Sequence, residues 1–518
     1  MKDSLREHEL QPVAAPAADA PAPRDKHFFA GHRDGKRPLK TDPLKGAKDR
    51  YDVIVIGSGL GGLTAANILA RAGRSVAVLE QHYNYGGLAT WFKRKGGHIF
   101  DISLHGFPFG MKKTCRKYWS EEIANRIVQL DGVRFDNPQF SFDTEFTRED
   151  FTDKLVNVLG QDRANVEGFY DALRRMNYYD HDERTTGELF EEYFPGRNDV
   201  HRLLMEPISY ANGSGLDDPA ISYGIVFSNF MSKGVYTFVE GTDGLVHSMK
   251  SILQANGVDL FNRVEVEQVV VEEGRVRGVR VGERFIAAEA VLSNANIRVT
   301  VEKLVGPGHF EAEWLAGMRR VRMNTSSCQV YMGLREGESL PWVSDLFFTS
   351  TRPTFDSAAL CDLHGESRTF SFYYPKGRPS DAAAGRPDRY AIVSSTNALY
   401  GDWARMTEAE YEANKQRMID ETVADIERRV PGTAAKLEHV EAATPRTFEF
   451  YTQHAVGTSF GTKFEGLPYS MNLSQQVEGL YHAGSVGIIM SGWLGAANYG
   501  AITANKVDAH LATLANAR

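Results

Sequence analysis

Apolar and polar residues alternate unevenly along the chain, and the clearest pattern lies at residues 51–90. The run Val53-Ile54-Val55-Ile56 is short and β-branched, which predicts a buried parallel strand. Leu63, Ala66, Ile68, Leu69 and Ala70 then follow a helical spacing that closes near Gly73. A second strand, 75–79, leads into Glu80. Residues 98–105 alternate enough to predict a strand, and 120–230 are mostly helical in pattern without a motif. A helix is expected over 245–253. Val264 to Val271 and Gly274 to Val279 alternate with period two about a turn, which predicts a hairpin. Residues 287–293 return as a strand, and 328–334 and 390–394 read as further strands. Thr407 and Glu410 form a capping-box pattern that opens a helix with an apolar stripe of Tyr411, Ile419, Val423, Ile426 and Val430. Near the end, a short strand reaches Gly484, and a small-residue helix starts about Gly492 and runs through Ala504.

The link between the first strand and helix is Gly57-Ser58-Gly59-Leu60-Gly61-Gly62, which places Gly57, Gly59 and Gly62 in G-x-G-x-x-G spacing. In that setting the first glycine permits a tight turn, the second admits a pyrophosphate, and the third lets helix and strand pack closely. The helix N-terminus offers free N–H groups and the positive end of its dipole. Glu80 falls about twenty residues on, where an acid takes ribose hydroxyls. This much serves NAD or FAD equally. A second glycine pair, Gly86-Gly87, follows closely. A simple NAD domain has no need of it, and it would let the chain run along a larger dinucleotide, which points to FAD.

Composition changes the picture only by exclusion. At 518 residues, the chain has room for two or three domains. Its net charge of −8 gives no support to a nucleic-acid partner. Cys115, Cys328 and Cys361 are far apart, so no disulfide framework is expected and a reducing, cytoplasmic compartment is the default. The start of the chain has no apolar signal region, and residues 1–25, rich in Ala and Pro, read as a disordered tail. The basic stretch that follows, up to residue 50, is either a contact for an anionic membrane or a solvated linker. Residues 481–505 lack charged side chains but carry Gly, Ser, Asn and Thr, so they read as buried backbone and not as a membrane span. His82, His98 and His105 do not have metal-ligand spacing, and no metal is expected. No G-x-S-x-G elbow supports a hydrolase.

Glu80-Gln81-His82, then Gly86-Gly87, then the Gly479-Leu480-Tyr481 and Gly484 segment with the helix start near Gly492, resemble the FAD-dependent carotenoid desaturases and isomerases, with the animal retinol saturases closest in character. The Phe100-Asp101-Ile102 to His105 and Thr444-Pro445 segments resemble the same branch. The resemblance implies an α/β fold: a Rossmann-like FAD-binding domain with an interleaved mixed-sheet substrate domain and a helical, membrane-facing part. The FAD domain would comprise 51–105, 235–300 and 470–518; the substrate domain would comprise 106–234 and 301–469, after a basic N-terminal segment of residues 1–50. By the same resemblance, Gly57, Gly59 and Gly62, with Leu60 and Gly61 between them, face the pyrophosphate, and Glu80, beside Gln81, takes the adenosine ribose. Gly86 and Gly87 lie along the dinucleotide, and Val264 offers backbone to the adenine. Gly484, Ser485, Gly492 and Leu494 lie by the ribityl chain and flavin ring. The chain departs from the pattern in two places. Ser485 and Val486 stand where an acid often follows the glycine, and Tyr85 and Leu88 flank Gly86-Gly87 with no arginine. Both departures weigh against the related amine oxidases.

The expected activity is an FAD-dependent oxidoreductase acting on C–C or C=C bonds of a long hydrophobic polyene or isoprenoid lipid. Desaturation, saturation and cis–trans isomerisation are all open. A flavin amine oxidase and a non-catalytic flavin-binding protein are the alternatives. FAD carries such chemistry, and the protein positions the substrate and excludes water. Where a proton donor is needed, the candidates are His105, His454 and Tyr499, each also readable as a structural side chain. A lipid substrate implies peripheral membrane contact. The aromatic and basic residues of 107–119 read equally as a lipid-dipping surface or as a core loop.

Overall fold

A computed structural model describes residues 42–103, 105–176, 184–374, 390–487 and 491–516. The expected disordered tail and most of the basic stretch lie outside these residues. From residue 43 onward the described residues pack as one unit, built on two seven-stranded sheets.

The first sheet grows from the buried strand Arg50–Ile56. Val76–Glu80 pairs parallel to it on one side and Arg284–Ser293 on the other. Asp259–Asn262 extends the sheet beyond Val76–Glu80, also parallel. Arg284–Ser293 has its outer edge divided. Its first half pairs antiparallel with Arg275–Val281, and its last three residues pair parallel with Leu480–His482. Gln268–Glu272 closes that side. The predicted hairpin is therefore present but starts later than the alternation suggests. Arg263 takes a left-handed φ of 59° and Val264 donates its N–H to the Glu80 carbonyl, so the chain joins the sheet only at Gln268. The helix Leu60–Arg71 crosses between the first two strands, and its apolar side meets the C-terminal helix Gly492–Asn516.

The second sheet runs in the order Leu437–Ala443, Ser326–Leu334, Ala391–Ala398, Ser367–Tyr373, Leu346–Ser350, Val133–Asp136, Ser141–Thr144. It is antiparallel except where Leu346–Ser350 meets Val133–Asp136. The helix Glu408–Arg429 opens with the predicted Thr407–Glu410 capping box. Its apolar stripe packs on one face of the sheet, where Ile426 and Val430 meet Phe370, Phe372 and Ile392. Toward the other face lie the helices of residues 148–231, in a core containing Phe135, Phe348, Leu203, Leu204 and Phe227.

The strand expected over 98–105 shrinks to Ile99–Asp101, paired with Trp91–Lys93. Ser103 turns instead to bond the Leu88 carbonyl, and the Trp493 indole N–H bonds the Ser103 carbonyl. The aromatic–basic stretch folds as a short strand, Phe107–Pro108, and a helix, Gly110–Tyr118. Phe107 and Trp119 are core residues, with Phe107 stacked on Trp493 at 5.3 Å. Phe109 is half-buried beneath the ammonium groups of Lys113 and Lys233, 5.5 and 4.9 Å from its ring. Among the described residues, no helix is long and apolar enough to cross a membrane.

Candidate functional site

Ligands of such sheets gather at the carboxyl ends of the parallel strands, and most of the glycines singled out in the sequence meet there. Gly57 turns the chain out of the first strand with φ of +89°, a conformation that a side chain resists. Its N–H bonds the Leu79 carbonyl at 2.8 Å. Gly62 lies so close to the turn that a Cβ there would stand 2.3 Å from the Gly57 carbonyl oxygen. The second glycine pair folds back onto the first: Gly86 N–H bonds the Ser58 carbonyl at 3.0 Å, and a Cβ on Gly87 would lie 2.8 Å from the Gly59 Cα.

Glu80 is buried, and it ties this turn together. One carboxylate oxygen accepts from both the N–H and the hydroxyl of Ser58, at 2.7 and 2.6 Å; the other accepts from the His82 N–H at 2.8 Å. Burial pushes its carboxyl pKa up, and the bonds from Ser58 and His82 pull against that shift. Gln81 points away to the Tyr451 carbonyl and to Gln453. The Val264 N–H is held by the Glu80 carbonyl at 2.9 Å, and the Val264 side chain is buried. The Leu60 side chain belongs to the core beneath the helix.

Asn294 carried no role in the sequence reading. It follows the strand Arg284–Ser293, and its side-chain amide sits beside the glycine turn. A Cβ on Gly59 would stand 2.6 Å from its Nδ2, and one on Gly61 would stand 2.7 Å from its Oδ1. Gly61 is confined on other sides too, by the Ala483 carbonyl oxygen at 2.6 Å from a Cβ position and by Gly500 of the C-terminal helix. These two glycines thus make room for protein as well as for a ligand. A polar residue just past the end of a parallel strand was the one signal for Asn294 in the sequence.

The residues expected beside the flavin lie further along. A Cβ on Gly484 would meet the Ala295 carbonyl oxygen at 2.2 Å, and the Ser485 carbonyl packs on Gly461. Gly492 is exposed at the start of the C-terminal helix, near the Ala211 carbonyl, and Leu494 packs against Gly110. The site's fit to a dinucleotide rests on the helix Leu60–Arg71. Gly59 is its N-cap, no side chain caps it, and its first turn holds no acid. Its leading N–H groups therefore suit an anion.

The three proton-donor candidates are not brought together. His105 stands on the inner face of the second sheet, with Nδ1 2.8 Å from the Ser371 hydroxyl and Nε2 3.0 Å from that of Ser395. The Gln329 amide also donates to Nε2, at 3.3 Å. Burial lowers its pKa to about 4, against a pull upward from Asp101, so the ring is neutral at neutral pH. His454 donates Nδ1–H to the Thr458 carbonyl at 2.9 Å, and burial lowers its pKa as well. Tyr499 is buried in the C-terminal helix, where it bonds Ser470. Ser470 in turn donates to His482 Nδ1 at 2.6 Å, because His482 Nε2–H is committed to the Ala295 carbonyl at 2.8 Å.

The family model described as flavin containing amine oxidoreductase matches residues 60–485. The chain is 24% identical over 509 residues to the chloroplastic prolycopene isomerase of Daucus carota, covering 90% of this chain and 81% of that protein. It is 23% identical over 478 residues to the all-trans-retinol 13,14-reductase of Homo sapiens, covering 80% and 77%. In fold it is similar to an oxidoreductase from Methanosarcina mazei, with a TM-score of 0.63 and 16% identity over 87% of this chain and 99% of that one.

Proposed function

Because the chain belongs to the flavin containing amine oxidoreductase family and is an FAD-dependent oxidoreductase, we propose that it acts on C–C or C=C bonds of a long hydrophobic polyene or isoprenoid lipid. One observation carries this reading. The two relatives named above match most of their own length and most of this chain, and both are named for a polyene substrate, one isomerised and one reduced. The missing acid after Gly484 and the missing arginine beside Gly86-Gly87 support the same choice over an amine substrate.

In this reading the first sheet, with 51–105, 235–300 and 470–518, is the Rossmann-like FAD-binding part, and 106–234 with 301–469 hold the substrate. Gly57, Gly59 and Gly62 bring backbone to the pyrophosphate. Glu80 lies by the adenosine ribose with its carboxylate already oriented by Ser58 and His82. Gly86 and Gly87 lie along the dinucleotide, and Val264 offers backbone to the adenine. Gly484, Ser485, Gly492 and Leu494 line the path to the ring. When bound, FAD supplies hydride exchange with the substrate carbon chain. His105 is the best placed of the three candidates to hold or pass a proton, since it is the one on the substrate sheet and near the loop that Trp493 fixes. Tyr499 and His454 hold structure.

The lipid that copurifies with the holoenzyme tests this reading. Extraction and mass analysis are expected to return a polyene or isoprenoid. Recovery of an amine, together with peroxide release on adding amines, would overturn it. The substrate's phase makes peripheral membrane contact part of the same proposal. Phe109 is a half-buried apolar side chain of 107–119 that lies beside two lysines.

A further inference from the structure

The C-terminal strand of the first sheet, Leu480–His482, ends on a histidine, where a buried parallel strand would ordinarily carry an apolar side chain. His482 is 2% exposed, and both of its ring nitrogens are bonded. Nε2 lies 2.8 Å from the Ala295 carbonyl, which can only accept, so the ring proton sits on Nε2. Nδ1 is then an acceptor, and the Ser470 hydroxyl donates to it at 2.6 Å. That spends the one hydrogen of Ser470, so Tyr499 donates to Ser470 in turn. Burial lowers the His482 pKa to about 4, and the nearby His454, itself lowered by burial, adds to that shift. At neutral pH the ring is therefore neutral, and the direction of each of these three bonds is fixed.

The imidazole joins two turns that lie 187 positions apart in the chain. One follows the strand Arg284–Ser293 and holds Asn294 and Ala295; the other holds Ala483, Gly484 and Ser485. Gly484 packs on the bond between them. A Cβ there would lie 2.2 Å from the Ala295 carbonyl oxygen and 2.8 Å from His482 Nε2. The same two turns converge again on Gly61, in the first turn of the helix Leu60–Arg71: a Cβ on Gly61 would meet the Ala483 carbonyl oxygen at 2.6 Å and Asn294 Oδ1 at 2.7 Å. Just beyond Ser485, Val486 packs in one buried cluster with Leu467 and Tyr499. The strand register ends at Ser293 and His482. Past it, the Ala483 N–H bonds the Ser293 carbonyl at 2.9 Å, and the imidazole reaches Ala295.

We infer that His482 is a positioning residue for FAD: its Nε2–H bond to Ala295 sets the spacing between the glycine turn at Gly59–Gly61 and the turn at Gly484-Ser485. This rests on the reading above that places those glycines along the dinucleotide and beside the flavin. An apolar side chain at 482 would fill the strand's end equally well, but it would take this donor from the buried Ala295 carbonyl and free the two turns to shift.

Release of FAD from the holoenzyme on dilution, read as the fluorescence of free flavin, tests the assignment, with a thermal melt of each variant as the measure of the fold. In His482→Gln the longer amide can set an N–H near the place of Nε2. In His482→Asn the shorter amide can still accept from Ser470 but falls short of Ala295. Ser470→Ala removes the ring's other bond and keeps the one to Ala295. His482→Asn is expected to release FAD about tenfold faster than the wild-type chain, and His482→Gln and Ser470→Ala within about twofold of it, at similar melting temperatures for the Asn and Ala variants. A folded His482→Gln that loses FAD tenfold faster overturns the proposal, whether or not His482→Asn folds, and so does equal release from His482→Asn and Ser470→Ala. Gly484→Ala tests the underlying reading separately. Faster release from Gly484→Ala but not from His482→Asn removes His482 and keeps the turn beside the flavin. Unchanged release from both removes Gly484 and Ser485 from the flavin, and this proposal with them.

Discussion

Single side chains divide into those proposed to line the cofactor and those that hold the core around it. Gly61 belongs to both, since a Cβ there would run into the Ala483 carbonyl oxygen and the Asn294 amide. Gly61→Ala is expected to cost about 1–3 kcal/mol of stability, the usual range for overpacking, and to weaken FAD retention, as read by thermal melts and by flavin released on dialysis. Tyr499→Phe removes one buried hydrogen bond to Ser470. It is expected to cost about 1 kcal/mol in a denaturant melt and to leave turnover unchanged. A large loss of turnover without loss of stability would assign Tyr499 to the chemistry.

Histidine burial makes the fold sensitive to acid. Burial lowers the pKa values of His105 and His482 to about 4, from an ordinary 6.5. Below 6.5 the unfolded chain therefore binds protons that the folded chain refuses. The stability each neutral ring contributes is present at neutral pH and is lost as pH falls from 6.5 towards 4, by at most about 3 kcal/mol per residue. Melting temperature measured across that range should fall, and His482→Gln should flatten the fall. Glu206 runs the other way, because its pKa is raised. Its contribution is present at low pH and fades as pH rises from about 4.5 to about 7.

At the scale of elements, the helices Leu60–Arg71 and Gly492–Asn516 cross in close contact, the joint proposed to complete the site. Gly500 approaches Gly61 so closely that a Cβ would lie 2.1 Å from the Gly61 carbonyl oxygen. Gly500→Ala is expected to separate the two helices, lowering the melting temperature and the fraction of protein that keeps FAD. No loss of either would remove this crossing from the account. The first strand, its glycine turn and the following helix could be read directly from the sequence, because each is dictated by neighbours within a few residues. Asn294 could not, since its position beside Gly59 and Gly61 depends on the pairing of Arg284–Ser293 with Arg50–Ile56. The late start of the hairpin at Gln268 has the same origin: the Val264 N–H is taken by Glu80, far away in sequence.

At the scale of the molecule, the first sheet carries the glycine turn proposed to hold the dinucleotide, and His105 packs on the second, largely antiparallel sheet. On the proposed polyene reading, substrate reaches that face from a lipid phase. Phe109→Ser is expected to reduce sedimentation with anionic liposomes, whereas Phe107→Ser is expected to disrupt folding, because Phe107 is core. Unchanged sedimentation of Phe109→Ser would move the contact elsewhere. The central claim is that the flavin works on a polyene. Anaerobic absorbance spectra of the holoenzyme, with flavin oxidised and then reduced, should be recorded against polyenes and against primary amines. The polyene bands are expected to shift in one of the two flavin states, as C=C bonds are formed, reduced or isomerised, while amines leave the oxidised flavin unbleached. Amine bleaching of the flavin with polyene bands unchanged in both states would contradict it.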